Sequence, residues 1–145
     1  MFKGALGLIL AVALFVAAGC GSSGPEPLTK AEFGQQGNKI CKEATEARGK
    51  IIAKVIEETN PKGNQEKAQE NIILKAIPTY EKATEQLSDL GAPKGEEEKV
   101  ESLVSSMEKT ADRVQADPHT AAISNAPFRE ANKLAEELKL QECVI

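Results

Sequence analysis

Val100, Leu103, Val104, Met107, Ala111 and Val114 follow one another at intervals of 3, 1, 3, 4 and 3 residues. That spacing lays an apolar stripe along one side of a helix and fits no strand, whose two sides alternate residue by residue. The signature recurs three more times. Phe33, Gly37, Ile40, Cys41, Ala44, Ile51, Ile52 and Val55 line a first helix. Thr29-Lys30-Ala31-Glu32 opens it as a capping box, in which hydroxyl and carboxylate satisfy the free amides of a helix start. Ala68, Ile72, Ile73, Ala76, Ile77, Tyr80, Ala83, Leu87 and Leu90 carry the second pattern. Phe128, Ala131, Leu134, Ala135 and Leu138 carry the last, with Ser124 or Asn125 as its cap and Pro127 in its first turn.

Breakers separate these runs: TNPKGN at 59–64, Leu90-Gly91-Ala92-Pro93, and Asp117-Pro118. Inside the second run, Pro78 removes an amide donor and crowds the carbonyl of Leu74, which predicts a kink or a short break. Gly37 and Gly49 each weaken the first helix by about 1 kcal/mol relative to Ala. No stretch alternates with period two. The reading is all-α: an antiparallel four-helix bundle over residues 29–145, its second helix kinked at Pro78.

The N-terminus follows another rule. Residues 1–19 read MFKGALGLILAVALFVAAG, with Lys3 first, then an uncharged run and small residues at its end, the layout of a secretory signal peptide. The 16 uncharged residues from Gly4 to Gly19 fall short of the roughly 20 that a spanning helix needs. Ala17, Ala18 and Gly19 stand directly before Cys20, and this resembles the lipobox of bacterial lipoproteins. The resemblance implies cleavage before Cys20 and attachment of diacylglycerol to its thiol. An ordinary signal-peptidase site beside an unmodified cysteine is the alternative. One acyl chain holds a protein to a membrane only marginally, whereas two anchor it. Residues 20–28 then form the lipidated cysteine and a small, polar, Pro-broken tether with a mean reach of roughly 15 Å. The literal G-x-G-x-x-G from Gly19 to Gly24 has neither a strand before it nor a helix at it, and is no dinucleotide site.

An exported domain meets an oxidising environment, where cysteines pair. With Cys20 occupied by lipid, Cys41 and Cys143 are the remaining couple, and in an up-down-up-down bundle the end of the fourth helix lies beside the start of the first. A redox pair of the C-x-x-C kind is absent.

Composition excludes several functions. Loss of Lys3 with the signal peptide takes the formal net charge from −4 to −5, and no basic stripe remains to meet nucleic acid. Phe33, Tyr80 and Phe128 are the aromatic residues after the signal peptide, too few for base-stacking platforms or cation cages.

Leu28 to Phe33, Ile40-Cys41, the run Leu87, Leu90, Pro93, and the closing Leu140 and Cys143 together are similar to a group of small, secreted or lipidated helical proteins of actinobacteria. That likeness implies a disulfide-closed helical domain without assigned activity. In the group a Gly often precedes the final Leu-x-x-Cys, where this chain has Lys139, so the tail is expected to leave its helix differently.

No catalytic constellation stands out. His119, the single histidine, falls in Asp117-Pro118-His119-Thr120 and reads as a solvated loop residue, not a base or a metal ligand. Ser106-Met107-Glu108-Lys109 matches S-x-x-K, but the partner motifs of acylating enzymes are missing. With Met107 facing the core, Ser106 and Lys109 are placed on wet flanks. Glu57-Glu58, Glu96 to Glu98 and Glu136-Glu137 diverge around their helices and read as solvated surface.

The expectation is a membrane-anchored extracytoplasmic lipoprotein with a non-enzymatic helical interaction domain, no cofactor and no metal, contacting an envelope protein. The alternative is a small-ligand or lipid carrier whose pocket opens near Pro78 and Tyr80, where an irregular helix leaves room.

Overall fold

A computed structural model describes residues 27–59 and 65–145. The expected signal peptide 1–19, Cys20, the expected tether up to residue 26 and the breaker at 60–64 lie outside the described residues.

The fold is all-α. Helix α1 spans Lys30–Thr59, α2 Gln65–Leu90, α3 Glu97–Ala116, α4 Pro118–Ile123 and α5 Arg129–Glu137, with single 3-10 turns at Ala126–Phe128 and Gln141–Cys143. No strand occurs among the described residues. Helix α2 packs against α1, α3 and α4; α3 packs also against α5, and α1 against the turn Gln141–Cys143.

Local chemistry explains these boundaries. The capping box at α1 is formed in both directions: Glu32 N–H donates to Thr29 Oγ1 at 3.2 Å, and Thr29 N–H donates to Glu32 Oε2 at 2.9 Å. The Thr29 hydroxyl, which donates to Glu32 Oε2 at 2.7 Å, and after it the Thr29 N–H favour the charged form and hold the Glu32 carboxyl below its ordinary value. Gly91 ends α2 with φ of 74°, a left-handed conformation that glycine adopts without steric cost. Glu96, just before α3, pairs with Lys30 and with Lys99, so the starts of α1 and α3 are joined by charge. The Lys30 and Lys99 ammonium groups hold its carboxyl below the usual range.

Helix α2 runs unbroken past Pro78, so no short break occurs there. Pro78 is exposed, which puts the amide it lacks on the wet side of the helix. Thr79 Oγ1 donates to the carbonyl of Ala76 at 2.7 Å one turn back.

The core is the anticipated stripes brought together. Phe33, Leu87, Leu103, Met107, Val114 and Leu140 are all but fully buried. Gly37 has a packing reason: a Cβ there would stand 2.7 Å from Leu140 Cδ2 and 3.3 Å from Leu87 Cδ2. Two leucines thus press onto the bare backbone of α1, offsetting the helical weakness of glycine.

Three expectations are corrected. The last helix opens as a 3-10 turn: Asn125 stands before Ala126–Phe128, which holds Pro127 and leads into α5, and a further helix, α4, precedes it. His119 is not in a loop but in α4, half-buried. Asp117 both ends α3, its N–H donating to Arg113 O, and starts α4, its carboxylate accepting from Thr120 N–H at 3.1 Å. Ser106 is buried at 5 % exposure, not wet, because α3 faces both α2 and α5 and needs a wider apolar side.

The tail departs as a glycine would make it. Lys139 has φ of 60°, Leu140 N–H donates to Ala135 O at 2.8 Å, and Lys139 N–H donates to Glu136 O at 3.0 Å, the paired bonds of a Schellman ending. A side chain in the left-handed region costs about 1–2 kcal/mol. Lys139→Gly is therefore expected to raise stability by about 0.5–1 kcal/mol, after the extra chain entropy of glycine is deducted. Urea unfolding of the two proteins checks this, and a lower midpoint for the variant goes against it.

Candidate functional site

The tail that follows α5 is held in three ways. Asn38 on α1 donates from Nδ2 to Lys139 O at 3.0 Å, and its Oδ1 accepts from Glu142 N–H at 2.9 Å. Asn132 on α5 repeats the clasp on Ile145: its Nδ2 donates to the carbonyl at 2.7 Å and its Oδ1 accepts from the N–H at 3.0 Å. Between them the sulfurs of Cys41 and Cys143 stand at disulfide distance, 1.96 Å, with Cα atoms 4.9 Å apart. Cys20 lies outside the described residues.

Fixing the tail completes a groove. Its walls are Arg48 and Ile52 from α1, Ile72, Ile73, Ala76 and Ile77 from α2, Ala121 from α4, then Asn125, Phe128 and Ile145. The volume is about 260 Å³. A smaller recess of about 30 Å³ beside the cysteine pair shares Arg48, Tyr80 and Ile145 with it, so one surface depression continues into the other. Small-molecule pockets usually hold about 300–1,000 Å³ and are lined by apolar groups with a few polar ones. The groove matches that lining and is slightly smaller.

Tyr80 is in the wall of both recesses, but its polar end is engaged in the core. Its ring meets that of Phe128 edge to face, centroids 5.8 Å apart. Burial pushes its hydroxyl well above the ordinary tyrosine value, countered in part by a hydrogen bond with the Thr110 side chain. Thr110 Oγ1 also reaches the carbonyls of Ser106 and Pro127, at 2.8 and 3.1 Å. Tyr80 thus offers ring surface to the groove while tying α2 to α3 and to the 3-10 turn. The sequence singled out this residue; it did not single out Arg48, whose place at the rim depends on the packing of α1 against the tail.

Arg48 is half-buried and makes no ion pair among the described residues. A cation beside an apolar lining is the natural counterpart of an anionic head carried on an apolar body. Large apolar side chains are also exposed on the same three helices: Ile56 on α1, Leu74 on α2 and Ile123 on α4, at 48 %, 41 % and 66 %. The S-x-x-K match comes apart, with Ser106 inside the core and Lys109 exposed.

A second cluster lies on α2 and α4. His119 Nδ1 is 3.0 Å from Glu66 Oε1 and 3.4 Å from Glu70 Oε1. Among the described residues no helix is long and apolar enough to cross a membrane. Comparison of the chain with family models, curated proteins and solved structures returned no match.

Proposed function

We propose that the protein is a lipid-anchored, extracytoplasmic binding module. Its helical domain takes a slender amphiphile, one short acyl chain with an anionic head, into the groove beside Tyr80. In this reading residues 1–19 are a lipoprotein signal peptide, Cys20 carries the lipid and residues 20–28 are the tether. The domain is non-enzymatic and works by binding alone. The finer architecture is an antiparallel bundle bent in α2 at Pro78, with the α4–α5 segment as its fourth member. It is supported by the hydrogen bond that brings Lys139 to Asn38 near the start of α1.

The observation that carries the function is Arg48, half-buried and without an ion pair among the described residues, on the rim of an isoleucine-lined groove of about 260 Å³. The groove begins about 27 Å along α1 from Lys30, so an anchored domain offers it well away from the tether. That placement suits capture of a free amphiphile in solution.

Decanoate is the probe, titrated calorimetrically into the purified domain. Saturable binding is expected, and Arg48→Gln is expected to weaken it about tenfold, since a charge-assisted hydrogen bond contributes about 1.5–3 kcal/mol and 1.4 kcal/mol is a factor of ten. Decanol, with the same chain and no charge, is expected to bind wild type and variant alike. Absence of saturable binding, or equal decanoate affinity in the two proteins, overturns the reading. Exposed Ile56, Leu74 and Ile123 favour a second reading, docking of an envelope protein on this end. Crosslinking on intact cells that captures one protein through these residues, with decanoate unbound, is the result that selects it.

A further inference from the structure

The geometry points to a binding site for one divalent transition cation, with zinc the best fit, formed by Glu66, Glu70 and His119. The site is independent of the groove reading. Its donors come from two elements: Glu66 and Glu70 stand one turn apart on α2, and His119 faces them from α4. One donor atom from each residue lies within 4.8 Å of the other two.

Zinc bonds to imidazole nitrogen and carboxylate oxygen run about 2.0–2.2 Å, which sets the edge of a zinc tetrahedron at about 3.3–3.5 Å. Two of the three donor separations, 3.0 and 3.4 Å, are already near that length. The third separation is within 4.8 Å and shortens by rotation of Glu66, whose side chain is 60 % exposed. Solvent supplies the fourth vertex from the open side.

Charge supports the assignment. Carboxylates four residues apart on a helix repel one another. Here both are turned toward the same imidazole nitrogen, an arrangement that a dication held between them stabilises. Two carboxylates and one neutral imidazole also balance a 2+ charge. A nitrogen donor favours zinc over magnesium or calcium, which prefer oxygen alone. His119 is presented by an anchored element, because the Asp117 carboxylate caps α4 through both the N–H and the hydroxyl of Thr120. A bound ion joins α4 to the N-terminal part of α2, the two helices that supply Ala121 and Ile72 to the groove wall.

Zinc chloride is titrated into the purified domain, followed by calorimetry and by the nitrogen resonances of the single imidazole. One equivalent is expected to bind, with a large shift at Nδ1 and a raised melting temperature. His119→Ala and the double variant Glu66→Gln/Glu70→Gln are each expected to weaken binding at least tenfold. Magnesium at equal concentration is expected to leave the imidazole resonances in place. The side chains concerned are solvent-accessible, and circular dichroism verifies that the variants stay folded. The wild-type imidazole shift tests the site without any substitution. Absence of saturable zinc binding up to millimolar concentration, an unshifted Nδ1, or equal affinity in wild type and His119→Ala overturns the assignment.

Discussion

Removing the cross-link between Cys41 and Cys143 is expected to lower the unfolding free energy by up to about 4–5 kcal/mol while leaving helicity almost intact. The two positions are 102 residues apart. In the chain-entropy description, opening a loop of that size gives the unfolded chain freedom equivalent to about 4.7 kcal/mol. Domains of this size are stable by about 5–15 kcal/mol in all, so the change is a large share of the total. The native state gives up little, because the tail keeps its Asn38 and Asn132 clasps and the packing of Leu140 against Gly37. The double variant Cys41→Ser/Cys143→Ser, unfolded in urea beside the oxidised protein, checks this. Its midpoint is expected to fall and its slope to steepen, since an unlinked chain exposes more surface. Free thiols at both positions in native protein, or coincident unfolding curves, contradict it.

The same tail shows which parts of the structure were readable from the sequence. The helices were legible because their determinants are local. A capping box at Thr29, a glycine at residue 91 and stripes at helical intervals each act within a few residues, and each appears where those intervals put it. The pairing of Cys41 with Cys143 was legible for a different reason: with Cys20 expected to carry lipid, these two are the couple that remains. What escaped depends on contacts between distant segments. Asp117-Pro118 is both a good stop and a good start, since Asp caps and Pro suits a first turn, and the sequence reading used only the first meaning. His119 was consequently left in a loop, although Glu66 and Glu70 already stood one turn apart. Nothing local announces that an imidazole some fifty residues downstream faces them.

Ser106 and Lys139 illustrate two further limits. A stripe drawn through Val100, Leu103, Met107 and Val114 assumes one packing partner, yet α3 has two, so Ser106 and Thr110 turn inward as well. Thr110 then becomes a junction, bonded to the carbonyls of Ser106 and Pro127 and reached by Tyr80. Lys139 stands where the sequence analysis marked a departure from glycine, and the backbone adopts the glycine conformation regardless. Leu140, buried against Gly37 and Leu87, and the two asparagine clasps together outweigh the local preference of a lysine. Tertiary packing decides such positions, and a reading based on residue intervals has no access to it.

Cys20→Ala is expected to release or mislocalise the protein. No helix among the described residues is long and apolar enough to span a bilayer, and the tether offers no run of basic residues to bind anionic headgroups. In the proposed reading attachment is through acyl chains, each contributing about 0.8 kcal/mol per buried CH₂, with two needed for a lasting hold. Replacing the thiol proposed to carry them removes that contribution, and the substitution lies outside residues 29–145. Partition between detergent and aqueous phases reads the effect. Intact mass supplies the second measure: wild-type protein begins at residue 20 with added diacylglycerol, and the variant shows no acyl mass. Unchanged detergent partitioning of the variant, together with a wild-type mass that shows no acyl group on Cys20, would overturn the proposed anchor and the extracytoplasmic location proposed with it.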